Sequence, residues 1–190
     1  MLVQHHREKT INAAVFFIRN TVDCQKTKLL KLLYLLDFEH YREVGRTVTG
    51  LQYQAWRLGP VAPEVDEQID EPSEYWQQHI AVKCDPTGYQ GSSPTYALEA
   101  KSEFDGGLFT RRELALLEQL AVRYRDSTAT ALVDLCHSTA PWSLPWKRVW
   151  EEEGRQFDEI DPSLFLEGCD DADRIRAAAT EHDEMVANYR

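Results

Sequence analysis

Between residues 25 and 44 the apolar side chains of Leu29, Leu30, Leu32, Leu33, Tyr34, Leu35, Leu36, Phe38 and Tyr41 fall on nearly every side of a helical wheel. A helix that is apolar all round has no face to offer water, so other elements must surround it. No other feature constrains the fold as strongly: the chain needs a central helix and enough partners to cover it. Asp23 is placed to cap its start and Gly45 to end it.

The partners are short. Ile11, Ala14, Val15 and Ile18 recur at helical spacing, which predicts a first helix over residues 8–19. After Gly50, the alternation of Leu51, Tyr53 and Ala55 with Gln52, Gln54 and Trp56 predicts a strand over residues 51–58, stopped by Gly59-Pro60. Pro63 suits the first turn of a short helix reaching Ile69. Residues 80–84 and 95–98 read as two further strands, joined by a loop with Gly88, Gly91 and Pro94. Thr110 and Glu113 form a capping box ahead of Leu114, Leu117, Ala121 and Tyr124, and Ser127 opens another helix through about His137. Beyond Trp150 periodicity is lost, except over residues 171–188, where Ile175, Ala178, Ala179, His182 and Met185 make a weak stripe. The expected fold is α+β: a mostly helical single domain with a small antiparallel β-sheet. Residues 1–150 form the domain, and residues 151–190 a partly helical C-terminal extension.

Charge narrows the partners. The chain carries a net charge of −11, and thirteen acidic residues against four arginines put nine of those charges in residues 151–190. That sign opposes binding to phosphate backbones or anionic lipid surfaces, so neither nucleic acid nor membrane is the expected primary partner. The acidic runs at Glu151-Glu152-Glu153 and Asp170-Asp171 read first as a solvated face, and second as an electrostatic complement to a basic partner. The longest apolar run, residues 13–18, is too short to cross a bilayer. Cys24, Cys84, Cys136 and Cys169 lie far apart, as free thiols in a reducing cytoplasm would.

For chemistry, the best candidates are Asp37 and His40, one turn apart on the central helix, where a hydrolase could join them in a common pocket. No nucleophile elbow, zinc-binding helix, Walker loop or dinucleotide fingerprint accompanies them. His5-His6 and Cys136-His137 are adjacent pairs, which diverge by about 100° on a helix and rarely chelate one ion. The residues therefore predict no catalytic site, no metal and no cofactor.

Three segments and a fourth partial one, spanning residues 26–142, carry a resemblance. They are Lys28-Leu29-Leu30-Lys31-Leu32-Leu33-Tyr34 running on to His40 and Tyr41, then the Gly45 to Gly50 loop, then Ala55-Trp56-Arg57-Leu58-Gly59-Pro60-Val61, and last His137 with Pro141-Trp142. Together they resemble the Panacea (SocA-like) domain family of bacterial and phage antitoxins. The resemblance implies a protein encoded beside a toxin that neutralises it by direct contact, with some relatives acting as adaptors for proteolysis. It offers Tyr34, Asp37, His40, Tyr41, Trp56, Val61 and Trp142 as toxin-facing positions, and Gly50, Gly59, Pro60, His137 and Pro141 as structural ones. Trp56 fits a core anchor first and an exposed contact second, and the same choice applies to Trp142. A standalone enzyme using Asp37 and His40, and a DNA-binding regulator, are the alternatives from other classes.

Overall fold

The computed structural model describes residues 5–87 and 94–188. Helices α1 (His6–Asn20) and α2 (Lys26–Val44) open the chain, and α2 is the axis of the molecule. Twelve of its nineteen residues are buried, on every side, as an all-round apolar helix requires. Asp23 does not cap it. Asp23 sits in the left-handed region at φ 47, where its carbonyl accepts the Gln25 N–H at 2.8 Å, and Gln25 takes the cap position with no side-chain bond. Gly45 does end α2, at φ 71; a Cβ there would lie 2.7 Å from the Ile175 carbonyl oxygen, so glycine both turns the chain and admits a late helix.

Strand β1 (Gln54–Trp56) is shorter than the alternation predicts, and Gly59-Pro60 begins a returning strand, β2 (Gly59–Val61), where the sequence reading had a stop. Trp56 faces Gly59 across the ribbon, leaving Arg57 and Leu58 at the tip. Pro60 is tolerated because its partner Ala55 makes its backbone bonds elsewhere: the Ala55 N–H donates to the Asp158 carbonyl at 2.9 Å, and its carbonyl accepts from Phe157 at 2.8 Å. The late segment thus lies beside β1, and an isolated bridge between Gln54 and Glu159 continues the contact.

Helix α3 (Pro63–Asp70) starts on its proline as expected, and α4 (Glu74–His79) follows. Strands β3 (Ile80–Asp85) and β4 (Thr95–Ala100) pair antiparallel as a second two-stranded sheet, so the expected single sheet is two separate ribbons. The second packs over α1 and α2, whereas the first is held by α2, α6 and the late segment. The loop glycines Gly88 and Gly91 lie outside the described residues.

Helix α5 (Arg111–Arg123) carries the predicted capping box: Thr110 Oγ1 accepts from the Glu113 amide at 3.3 Å, and the Glu113 carboxylate from the Thr110 amide at 2.7 Å. Helix α6 (Ala129–Cys136) is capped by Thr128, not Ser127, through a bond from the Ala131 amide at 3.1 Å. A short 3-10 turn over Pro141–Ser143 leads into α7 (Leu144–Lys147), and the chain closes with α8 (Ala172–Asn188).

The late segment adds to the core. Ile160, Phe165, Leu166, Ile175 and Ala179 are buried, and the Phe165 ring meets Tyr34, Phe38 and Tyr41 edge-on at 5.3 to 5.6 Å. Of the weak stripe on α8, Ala178 and Met185 face solvent. Glu151, Glu152, Glu153, Asp170 and Asp171 are exposed. Among the described residues no helix is long and apolar enough to cross a membrane.

Candidate functional site

The motif residues converge on two sides of α2. On one side Asp37, wholly buried, closes the loop that leads into β1. Its carboxylate accepts the Val48 amide at 2.7 Å, the Thr49 amide at 2.9 Å, the Tyr53 hydroxyl at 2.7 Å and the Thr49 hydroxyl. Burial pushes the Asp37 carboxyl above its ordinary range, against the pull of these four bonds. A carboxylate offers about four acceptor positions, so Asp37 has none left for substrate or water.

His40 does not share a pocket with it. The His40 ring Nδ1 lies 2.7 Å from the Arg46 carbonyl, and burial holds the imidazole below its usual range, so the neutral ring donates there. Its face borders a polar recess of about 680 Å³ among α1, α2, α5 and α8, also lined by Tyr41, His6 and His182. The Glu113–Lys9 ion pair, 2.7 Å, closes one wall. Among the described residues no three His, Cys, Asp or Glu side chains are grouped to hold a metal ion, and all four cysteines are free. Gly50, at φ 72, lies against the His6 ring at the recess edge.

Tyr34 is buried at the centre of the molecule and donates to the Trp142 carbonyl at 2.9 Å, tying α2 to the Pro141 turn. Trp142 is buried with it. Tyr34, Asp37 and Trp142 therefore act through what they hold in place, and present little or nothing to a partner. His137 is exposed on one side and stacks edge-on against Trp146 at 4.7 Å.

On the other side stands the β1–β2 ribbon. The favoured core reading of Trp56 meets a half-buried ring: its indole N–H bonds to Gln54 at 3.0 Å, and its carbonyl accepts from the fully buried Trp146 at 2.8 Å. Trp146, which was not singled out from the sequence, is the anchor. Gly59 has φ 102, and a Cβ on it would lie 2.6 Å from the Cys136 sulfur and 3.1 Å from the Lys31 nitrogen, so only glycine lets the ribbon lie this close to α2 and α6. Beneath it, Lys31 donates to the Pro60 carbonyl at 2.7 Å. Burial lowers this amine to about 8 and raises the neighbouring Cys136 thiol to about 11. The motif in the sequence includes Lys31 and the equally buried Lys28, which donates to the Val22 and Arg125 carbonyls, but gives neither a role. Two lysines within the leucine-rich first half of the helix, Leu29 to Leu36 and the turn before it, are the signal for them in the sequence.

No curated protein and no solved structure matches the chain significantly. The family model described as antitoxin SocA-like, Panacea domain, matches residues 29–143, the span that carries the Asp37 loop, the β1–β2 ribbon and the Tyr34 to Trp142 tie. That is more than half of the chain, and the chain belongs to the SocA-like Panacea domain family of antitoxins.

Proposed function

We propose that this chain is the antitoxin of a toxin–antitoxin pair and silences a toxin encoded beside it by direct, stoichiometric contact, without catalysis. The family match over residues 29–143 carries the reading. The side chains agree with it: the best chemical candidate, Asp37, is saturated with hydrogen bonds and closed to solvent, and a binder needs surface where an enzyme needs a reactive centre. A net charge of −11 favours a protein partner over nucleic acid.

The test is to express the adjacent reading frame alone and together with this chain. Growth arrest by the neighbour, relieved in proportion to dose and accompanied by a complex that copurifies, is the expected result. A harmless neighbour, or a toxic one still toxic at equal dose with no complex recovered, overturns the reading. Toxin that disappears only in cells containing a particular protease would assign delivery for proteolysis in place of blockade.

A further inference from the structure

Between the tip of the β1–β2 ribbon, the start of α2 and strand β4 lies a groove with a cavity of about 480 Å³. Its walls are apolar: Trp56, Leu58, Val61, Tyr96 and Phe157. Leu58 is 45% exposed and Phe157 57%, two of the few large apolar side chains left in water among the described residues.

Phe157 is also strained. Its backbone sits at φ 67, where a bulky L side chain costs about 1–2 kcal/mol and where Gly or Asn is the usual occupant. Its N–H donates to the Ala55 carbonyl and holds it there, and the ring stands edge-on to Trp56 and Trp150, both at 6.0 Å. Burial does not explain an aromatic ring in this position, since more than half of it faces solvent. A role for the ring at the surface does.

Charge says what the groove receives. The Lys31 amine on its floor is 1% exposed and makes one hydrogen bond, to Pro60, although an ammonium has three N–H groups. Arg57 at the rim is exposed and forms no ion pair among the described residues. The start of α2 also borders the groove, with no side-chain cap and no acidic residue in its first turn. The acids nearby, Asp66 and Asp70, share the single Lys26 at 3.0 and 2.6 Å, so of the three cations Lys26, Lys31 and Arg57 only one is left in excess. In a chain of net charge −11, spare positive charge collects here beside apolar walls.

We infer that this groove seats a segment of the toxin that presents a bulky apolar side chain next to a carboxylate. The inference rests on the antitoxin reading and names the surface that reading leaves open. The apolar side chain lies against Leu58, Trp56 and Phe157, and the carboxylate pairs with the exposed Arg57, a stronger donor for being charged, with the buried Lys31 ammonium adding its field from below.

The full chain, copurified with the product of the adjacent reading frame, supplies the test, with affinity, melting temperature and growth rescue read for each variant. Leu58→Asp, at an exposed tip, is expected to weaken binding by about 30-fold or more at unchanged melting temperature, the scale of a binding hot spot. Phe157→Gly relieves the left-handed strain and is expected to raise the melting temperature while weakening binding, a split that a purely structural role would not produce. Arg57→Glu should slow association and flatten its salt dependence. Val122→Asp, the same kind of change at an exposed site on α5, should leave binding as it was. A wild-type complex whose affinity is unmoved by both Leu58→Asp and Phe157→Gly overturns the groove and leaves the antitoxin reading standing. Absence of any wild-type complex overturns that reading, and the occupant assigned to the groove goes with it.

Discussion

The Tyr53 hydroxyl donates to the Asp37 carboxylate at 2.7 Å, so the residue just before β1 and the middle of the central helix are joined by a buried, charge-assisted bond. Removing the carboxylate strands two backbone amides and two hydroxyls inside the protein, each costing about 1–3 kcal/mol if left unpaired. Asp37→Ala is therefore expected to lose about 3–5 kcal/mol of stability by urea unfolding. Asp37→Asn, which keeps one acceptor for the two amides, should lose about 1–2 kcal/mol. An Asp37→Ala protein of unchanged stability that no longer neutralises toxin would make Asp37 a functional group after all.

The central helix, the capping box on α5 and the proline start of α3 were legible because each is decided within one or two helical turns. What was not legible depends on chain segments about a hundred residues apart. Phe157 stands where glycine or asparagine would be expected, and nothing near it in sequence signals a left-handed backbone; the pairing of 157–159 with β1 creates that geometry. The same pairing frees Pro60 from the ladder and turns a presumed strand stop into β2. Phe165 lies in a single 3-10 turn flanked by polar residues, too short to show any period, yet it fills the space between three aromatic rings on α2. At the candidate site the sequence located the motif residues but not their division of labour: Tyr34, Asp37 and Trp142 support, while Leu58 and Arg57 at the tip are presented.

Phe165→Ala tests how far the segment after residue 150 belongs to the core. The ring is 1% exposed, and emptying such a site costs about 3–5 kcal/mol. For a chain of this size that corresponds to a fall of roughly 10 °C in melting temperature. A variant that melts with the wild type would mean that the segment rests on the domain without stabilising it.

Trp146→Ala and Trp56→Ala should separate anchor from surface. Trp146 is fully buried and bonds the Trp56 carbonyl, so its loss should cost about 3–5 kcal/mol by cavity formation. Trp56, only partly buried, should cost clearly less, because its surroundings include water in the folded state. Equal losses in denaturant titrations would show that Trp56 carries core weight that its exposure hides.

Lys31 predicts a pH dependence with a definite sign. In the unfolded chain its amine holds a proton up to an ordinary value of 10.5, whereas in the fold burial brings that down to about 8. Below pH 8 both states are protonated, and the cost of the buried ammonium is fully present. Between 8 and 10.5 the unfolded state binds more protons, so stability rises with pH, by about 1 kcal/mol from pH 8 to pH 9 for this one group. Other groups oppose the rise. The thiols of Cys24 and Cys136 are raised to about 11 by burial, so they hold protons in the fold that the unfolded chain gives up near 9, and they lower stability as pH climbs. The comparison must therefore be with Lys31→Met, which keeps the stem, drops the charge and retains both thiols. The wild type should gain about 1 kcal/mol on the variant between pH 8 and pH 9, measured by urea unfolding in paired buffers. Parallel curves across that window would show that the Lys31 ammonium is better solvated in the fold than its burial implies.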